Sequence, residues 1–179
     1  MNRILLLFLL LTLHSCASVP LSTMVKMSTF DTQDFIKLNE DELRVKIMLP
    51  QGFKLNSDKS WLGIDIKSAA GKHQGIFELD QDYEKVISQS RGFLEKSELV
   101  TAYTLRLSEV SKVKFRNLQK FLSRASAEDI HIRVVPKLKF IPEGAVSVQV
   151  WVDLLLSKAQ GYFTLVNAAQ LPLNKLRQK

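Results

Sequence analysis

The chain has 179 residues, of which 46% are hydrophobic and 24% charged, and its formal net charge is +7 at pH 7. This composition is typical of a globular domain and excludes an intrinsically disordered chain. One cysteine, Cys16, is present, so an internal disulfide framework is excluded as well.

The N-terminal stretch has the pattern of a secretory signal. Arg3 precedes an apolar run from Ile4 to Leu13, which is shorter than the roughly twenty apolar residues that span a bilayer. The run ends in Leu13-His14-Ser15-Cys16, which resembles the lipobox of bacterial lipoproteins. The resemblance implies a signal peptide over residues 1–15, cleavage before Cys16, and lipid on its sulfur and amino group.

A lipoprotein of this kind carries two or three acyl chains, such as palmitate, and two chains are enough for firm attachment to a membrane. Ala17 and Ser18 follow the cysteine, where an Asp would retain such a lipoprotein in the inner membrane. The resemblance therefore implies the outer membrane, with the protein facing the periplasm. Residues 16–23 are interpreted as the lipidated cysteine and its tether, and residues 24–27 as a first strand or more tether.

Alternating apolar and polar residues predict strands along most of residues 24–166, the interpreted periplasmic domain. Residues 43–49 form a half-buried strand, and residues 62–66 and 76–79 a hairpin. Residues 80–98, which begin with clustered carboxylates around Asp80 and Asp82, fit a short helix or a surface loop. The clearest strand of the first half covers residues 99–107.

The second half predicts three further strands joined as an antiparallel meander. They cover residues 130–140, 146–156 and 162–166. Pro136 interrupts the first of these and predicts an edge strand or a bulge, because proline donates no ladder hydrogen bond. About seven such strands predict a mainly β fold, an antiparallel two-layer β-sandwich with one amphipathic helix packed on it. Residues 167–179 are interpreted as a basic C-terminal tail.

One helix is predicted over residues 108–125, with Ser108 as its N-cap. Its apolar arc at 100° per residue contains Val110, Val113, Leu118, Phe121, Leu122 and Ala125, with Phe115 at the border. A second side carries a basic row at intervals of four residues: Lys112, Arg116, Lys120 and Arg124. Either the row is a solvated surface, or it docks onto an anionic partner such as lipid headgroups or an acidic protein face.

No motif of catalysis, metal binding or phosphate binding is found. His73 and His131 have no metal-ligand spacing with another His, Cys or carboxylate, and His131 occupies a solvent-facing position of its strand. The carboxylates near Asp80 lack the glycine and glutamate of an EF-hand. We therefore predict no enzyme, no cofactor, no metal and no nucleic-acid partner.

The predicted function is that of an accessory or structural lipoprotein that holds an envelope protein partner at the membrane. This prediction is an analogy with small outer-membrane lipoproteins that have the same kind of anchor and a sandwich fold. A carrier of lipid or another apolar ligand is the alternative, and would need a large apolar cavity. An enzyme acting on the cell wall is a third hypothesis, and would need a cleft with convergent polar groups.

Overall fold

The computed structural model describes residues 18–68, 71–89, 97–125 and 127–176 of a mainly β chain. The predicted signal peptide and Cys16 lie outside the described residues. The strands are β1 (Arg44–Pro50), β2 (Lys54–Leu55), β3 (Trp61–Ser68), β4 (Gly71–Gln89), β5 (Glu98–Leu107), β6 (Ala127–Val135), β7 (Leu138–Phe140), β8 (Ser147–Leu155) and β9 (Tyr162–Pro172). The helices are α1 (Leu21–Ser28), α2 (Thr32–Ile36), α3 (Glu109–Leu122) and α4 (Leu173–Leu176), and a 3₁₀ turn covers Ser57–Lys59.

Seven strands form one antiparallel sheet in the order β6-β3-β4-β5-β1-β8-β9, which curls into a half-barrel, while β2 and β7 form a separate pair. The mainly β, antiparallel prediction is confirmed, but the two-layer sandwich is not. The strands do not divide into two sheets because β4 is long enough to pair with two neighbours: its residues 71–78 pair with β3, and its residues 79–89 pair with β5. A single strand that belongs to both groups joins them into one sheet, and a bulge between Gln81 and Tyr83 adds local twist.

Two predictions of topology were wrong. Residues 80–89 form neither a helix nor a loop, because they continue β4. The meander is also absent among the described strands: β8 and β9 are neighbours, whereas β6 lies at the opposite edge of the sheet. The edge position of β6 was predicted correctly from Pro136, which follows its last residue.

The main core lies on the concave face of the sheet. Apolar residues at alternate positions of β1, β3, β5 and β8 point into it, and the core residues of these strands are at most 5% exposed. The alternation is confirmed for Tyr103, Leu105 and Leu107 of β5, whereas Leu99 at its start is 54% exposed. Val150 and Leu154 of β8 belong to this face. Val146, which the alternation placed in the same row, is 81% exposed because it precedes the first residue of β8.

A smaller apolar cluster lies on the outer face. Trp151 is fully buried there and packs with Met48, Val100 and Ala102. The prediction that Trp151 faces away from the valine row is confirmed by this placement. The same face is mixed, as expected, because Lys46 and Asp153 form an ion pair beside the cluster at 3.4 Å.

Helix α3 starts where the sequence predicts it but ends at Leu122, before the predicted Arg124 and Ala125, and packs across the concave face against β4. Its burial is rotated relative to the prediction. Phe115, which was placed at the border of the apolar arc, is fully buried, whereas Val110 and Val113 are 59% and 49% exposed. The rotation arises because Phe115 packs against two aromatic rings of the core. Its ring centroid lies 5.0 Å from that of Phe35 and 5.6 Å from that of Phe77.

Both predicted termini of the domain are more ordered than expected. Helix α1 begins at Leu21 inside the interpreted tether, and residues 24–27 are helical rather than extended. Residues 167–172 of the interpreted tail belong to β9, and α4 follows them. The N–H of Leu173 donates to the carbonyl of Val146 at 3.0 Å and fixes this end.

Candidate functional site

Three members of the predicted basic row lie on α3, and Arg124 comes two residues after its end. The hydroxyl of Ser108 accepts a hydrogen bond from the N–H of Ser111 at 3.2 Å, which caps the helix and orients its first turn. From that start, residues spaced by four lie above one another on one face. The members of the row are Lys112, which is half-buried, and Arg116, Lys120 and Arg124, which are exposed.

Lys112 is held between two carboxylates. Its Nζ lies 2.7 Å from Asp41 Oδ1 and 2.7 Å from Glu109 Oε1, and only 13% of its side chain is exposed. The hydrogen bond to Asp41 raises the pKa of Lys112, with the bond to Glu109 as the next contribution. The same bond lowers the pKa of Asp41 below its usual value of 3.8. Lys112 is therefore a structural cation rather than a free docking group.

Arg116 is also paired. Its guanidinium donates to the carboxylate of Glu40, whose side chain is only 15% exposed. Glu40 and Asp41 lie in the loop between α2 and β1, so the first half of the basic row is neutralised by a segment distant in sequence. Local sequence around α3 contains no signal for these contacts.

Lys120 and Arg124 form the unpaired half of the row. Both are exposed, and within the part of the chain that the structure describes no carboxylate lies within 4.0 Å of either side chain. Of the four residues predicted to dock, these two remain available to an anionic partner.

The N-terminal segment joins the two edges of the half-barrel. The carbonyl of Ser18 accepts from the N–H of Asn167 at 2.6 Å, and the hydroxyl of Thr23 donates to the carbonyl of Thr164, both on β9. Further along, the N–H of Ala127 on β6 donates to the hydroxyl of Thr32 at 2.9 Å. The segment from Ser18 to Thr32 thus reaches from one edge strand to the other.

Helix α1 turns an apolar surface away from the domain. Its buried residue is Thr23, whereas Leu21, Met24 and Val25 are 75%, 48% and 60% exposed. We name these three residues the α1 apolar face. Sequence reasoning missed it, although the spacing i, i+3, i+4 is a helical signal, because the segment was interpreted as tether or strand.

The two histidines lie on opposite faces of the sheet. His73 is on the concave side, where its ring packs on Phe121 at 4.4 Å. His131 is on the outer side, 70% exposed as predicted, with its Nε2 2.7 Å from Asp129 Oδ2. No group of three metal-ligating residues occurs among the residues that are described.

A shallow groove of about 500 Å³ lies beside His131. Most of its lining comes from the outer face (Asp65, Lys67, Lys72, Gln74, Asp129 and His131), and Ile66 and His73 reach it from the concave side. Asp65 is satisfied within this face, since Arg133 Nε lies at 2.6 Å and Gln74 Nε2 donates at 2.9 Å. Two pairs of lining residues, Asp65 with Gln74 and Asp129 with His131, thus already bind one another.

The clustered carboxylates of β4 do not converge. Glu78, Asp80, Asp82 and Glu84 are spaced by two and would share one face of a regular strand. The bulge between Gln81 and Tyr83 shifts the register, so that Glu84 lies opposite Tyr103 and on the other face from Glu78 and Asp80. Asp82 pairs with Arg44 at 3.0 Å, and Glu78 lies 3.9 Å from Lys114. These contacts stabilise the strand locally.

No family model matches the chain, and neither a curated protein nor a solved structure matches it. Within the described ranges, none of the helices has the length and apolar character needed to cross a bilayer.

Proposed function

We propose that this chain is a lipid-anchored outer-membrane protein, facing the periplasm, that acts without catalysis as an accessory or structural tether for an envelope protein. The lipobox-like sequence ending at Cys16 supplies the anchor, and the β domain supplies the surface held at the membrane.

The observation that carries the proposal is the short distance between the anchor and the fold. Cys16 precedes Ser18 by two residues, which span at most about 7 Å of extended chain. Ser18 is itself fixed to β9 through Asn167. A lipid on Cys16 would therefore hold the whole domain against the bilayer in a restricted orientation, as suits a protein that positions a partner.

The partner surface is best supported at the end of α3. Lys120 and Arg124 present two cations that no described carboxylate neutralises. Exposed charges of this kind contribute mainly to the rate at which a partner is encountered and to its orientation, and this contribution weakens as the salt concentration rises. An acidic face of an envelope protein would fit them.

The alternative, a carrier of an apolar ligand, has less support. The space between α3 and the sheet is filled by Phe35, Phe77 and Phe115, each at most 1% exposed. A ligand would have to displace these rings, at the cost of a packed core.

The test is to replace Cys16 by Ala and to follow processing, membrane fractionation and crosslinked partners in intact cells. We expect the wild-type mature N-terminus to begin at Cys16 with the mass of its acyl chains. We also expect the variant to lose both the membrane fraction and the crosslinks. An unmodified Cys16 in the wild type, or crosslinks that persist in the variant, would contradict the proposal.

A further inference from the structure

We infer that the α1 apolar face lies in the interfacial layer of the membrane that holds the lipid anchor, as a second and non-covalent contact. This inference rests on the proposed lipidation of Cys16. It concerns which side of the domain faces the bilayer, because the lipid alone would not determine that side.

The chemistry of α1 fits a lipid surface. Its eight residues span about 12 Å, and the exposed side chains Leu21, Met24 and Val25 fall on one side of the helix. The helix contains no acidic residue in its first turn and carries Lys26 in its last. An exposed apolar side with no acidic residue on the same helix suits a membrane interface.

The direction of this face is fixed by the fold. Thr23, on the opposite side of α1, is 2% exposed and bonds to β9 through Thr164. Lys26 Nζ lies 4.4 Å from the ring centroid of Phe163 on the same strand. With its inner side bound at both points, α1 presents Leu21 and Val25 outward in one orientation.

The position of the anchor selects lipid as the occupant. Leu21 follows Cys16 by five residues, and the intervening Ser18 is bonded to the domain. Acyl chains that enter the bilayer at Cys16 therefore hold Leu21 within about 17 Å of the anchor point. A protein partner at this face would have to fit between the domain and the membrane.

The experiment uses the lipidated full-length protein in phospholipid vesicles. Cys16 is the only native cysteine and its sulfur is capped by lipid, so Leu21→Cys or Val25→Cys supplies one free thiol for an environment-sensitive fluorophore. Lys85→Cys is the matched control, because β5, β1 and β8 separate its strand from β9, about 19 Å across the sheet.

We expect nitroxide-labelled lipids to quench the fluorophore at residues 21 and 25, with emission shifted to shorter wavelength, and to leave residue 85 unquenched. The mass of the N-terminal peptide, measured on the same samples, shows whether Cys16 is acylated. Acylated protein with equal quenching at residues 21, 25 and 85 would overturn the inference and spare the proposed function. Protein without the lipid would instead overturn the proposed function.

A second arm addresses a protein occupant. The same labels are compared in pure phospholipid vesicles and in native envelope vesicles, with a water-soluble quencher added outside. Protection from that quencher in phospholipid vesicles alone supports lipid contact. Protection that requires the native envelope would assign the α1 apolar face to a protein and overturn the inference.

Discussion

The Nζ of Lys112 on α3 lies 2.7 Å from Oδ1 of Asp41, which precedes β1. This ion pair fixes the start of the basic row to the loop between α2 and β1. The pair divides the row into a structural half and a free half. It also makes the helix sensitive to pH, because both partners ionise with shifted pKa values.

Acid should weaken this contact in a predictable direction. The folded-state pKa of Asp41 is lowered by its hydrogen bond from Lys112. Its contribution to stability is therefore present above the unfolded value of 3.8 and is lost as the pH falls through the folded value. Asp41→Asn should lower the melting temperature at about pH 6 and much less at about pH 2. A melting-temperature difference that is independent of pH would contradict the role of Asp41.

Substitution of Gln119 should lower the stability of the fold more than substitution of most other polar residues of α3. Its Nε2 lies 3.1, 3.1 and 2.8 Å from the carbonyl oxygens of Phe35, Ile36 and Leu38, which share its two N–H donors at the C-terminal end of α2. Gln119→Glu removes these donors and places a carboxylate against carbonyl oxygens. We expect a loss of about 1–3 kcal/mol in the free energy of unfolding, measured with denaturant. The matched change Asn117→Asp, at an exposed residue of the same helix, should have little effect.

The β8 register gives a test with two valines. Val150 is 2% exposed and Val146 is 81% exposed. Val150→Ala should therefore cost about 1–3 kcal/mol of unfolding free energy, through lost burial and the cavity left behind. Val146→Ala should change it by less than about 0.5 kcal/mol. Similar losses in the two variants would show that the β8 register is wrong.

The free half of the basic row can be separated from the structural half. Lys120→Glu with Arg124→Glu should leave the melting temperature nearly unchanged, while binding to anionic vesicles or to the native partner weakens, most at low salt. Arg116→Glu should instead lower the melting temperature, because it places like charges beside Glu40. Unchanged binding in the double variant, by cosedimentation and crosslinking, would return Lys120 and Arg124 to a solvated surface.

Much of the secondary structure could be predicted from the sequence, because most strands have one buried face and α3 has a capped start. Alternation placed Val150 and Trp151 on opposite faces, and Ser108 marked the start of α3. These features depend on residues close in sequence.

The remainder depended on contacts between distant segments. The polar half of β4 carries no alternation, since its residues from Gln81 to Val86 are exposed on both faces. The burial of Phe115 is decided by Phe35 and Phe77, and the pairing of Arg116 by Glu40. None of these partners is visible from the helix sequence, so both the rotation of α3 and the neutralised half of its row were missed.

The bond between Thr23 and Thr164 joins residues 141 positions apart, so the first described helix can dock only after nearly the whole chain is available. Contacts of such large sequence separation make folding slow, because loop-closure entropy is lost before the contact forms. In a chain that crosses a membrane N-terminus first, α1 would wait longest for its partner strand. Its docking on β9 would therefore be a late step of folding, and until then the edge of β9 would lack this cover.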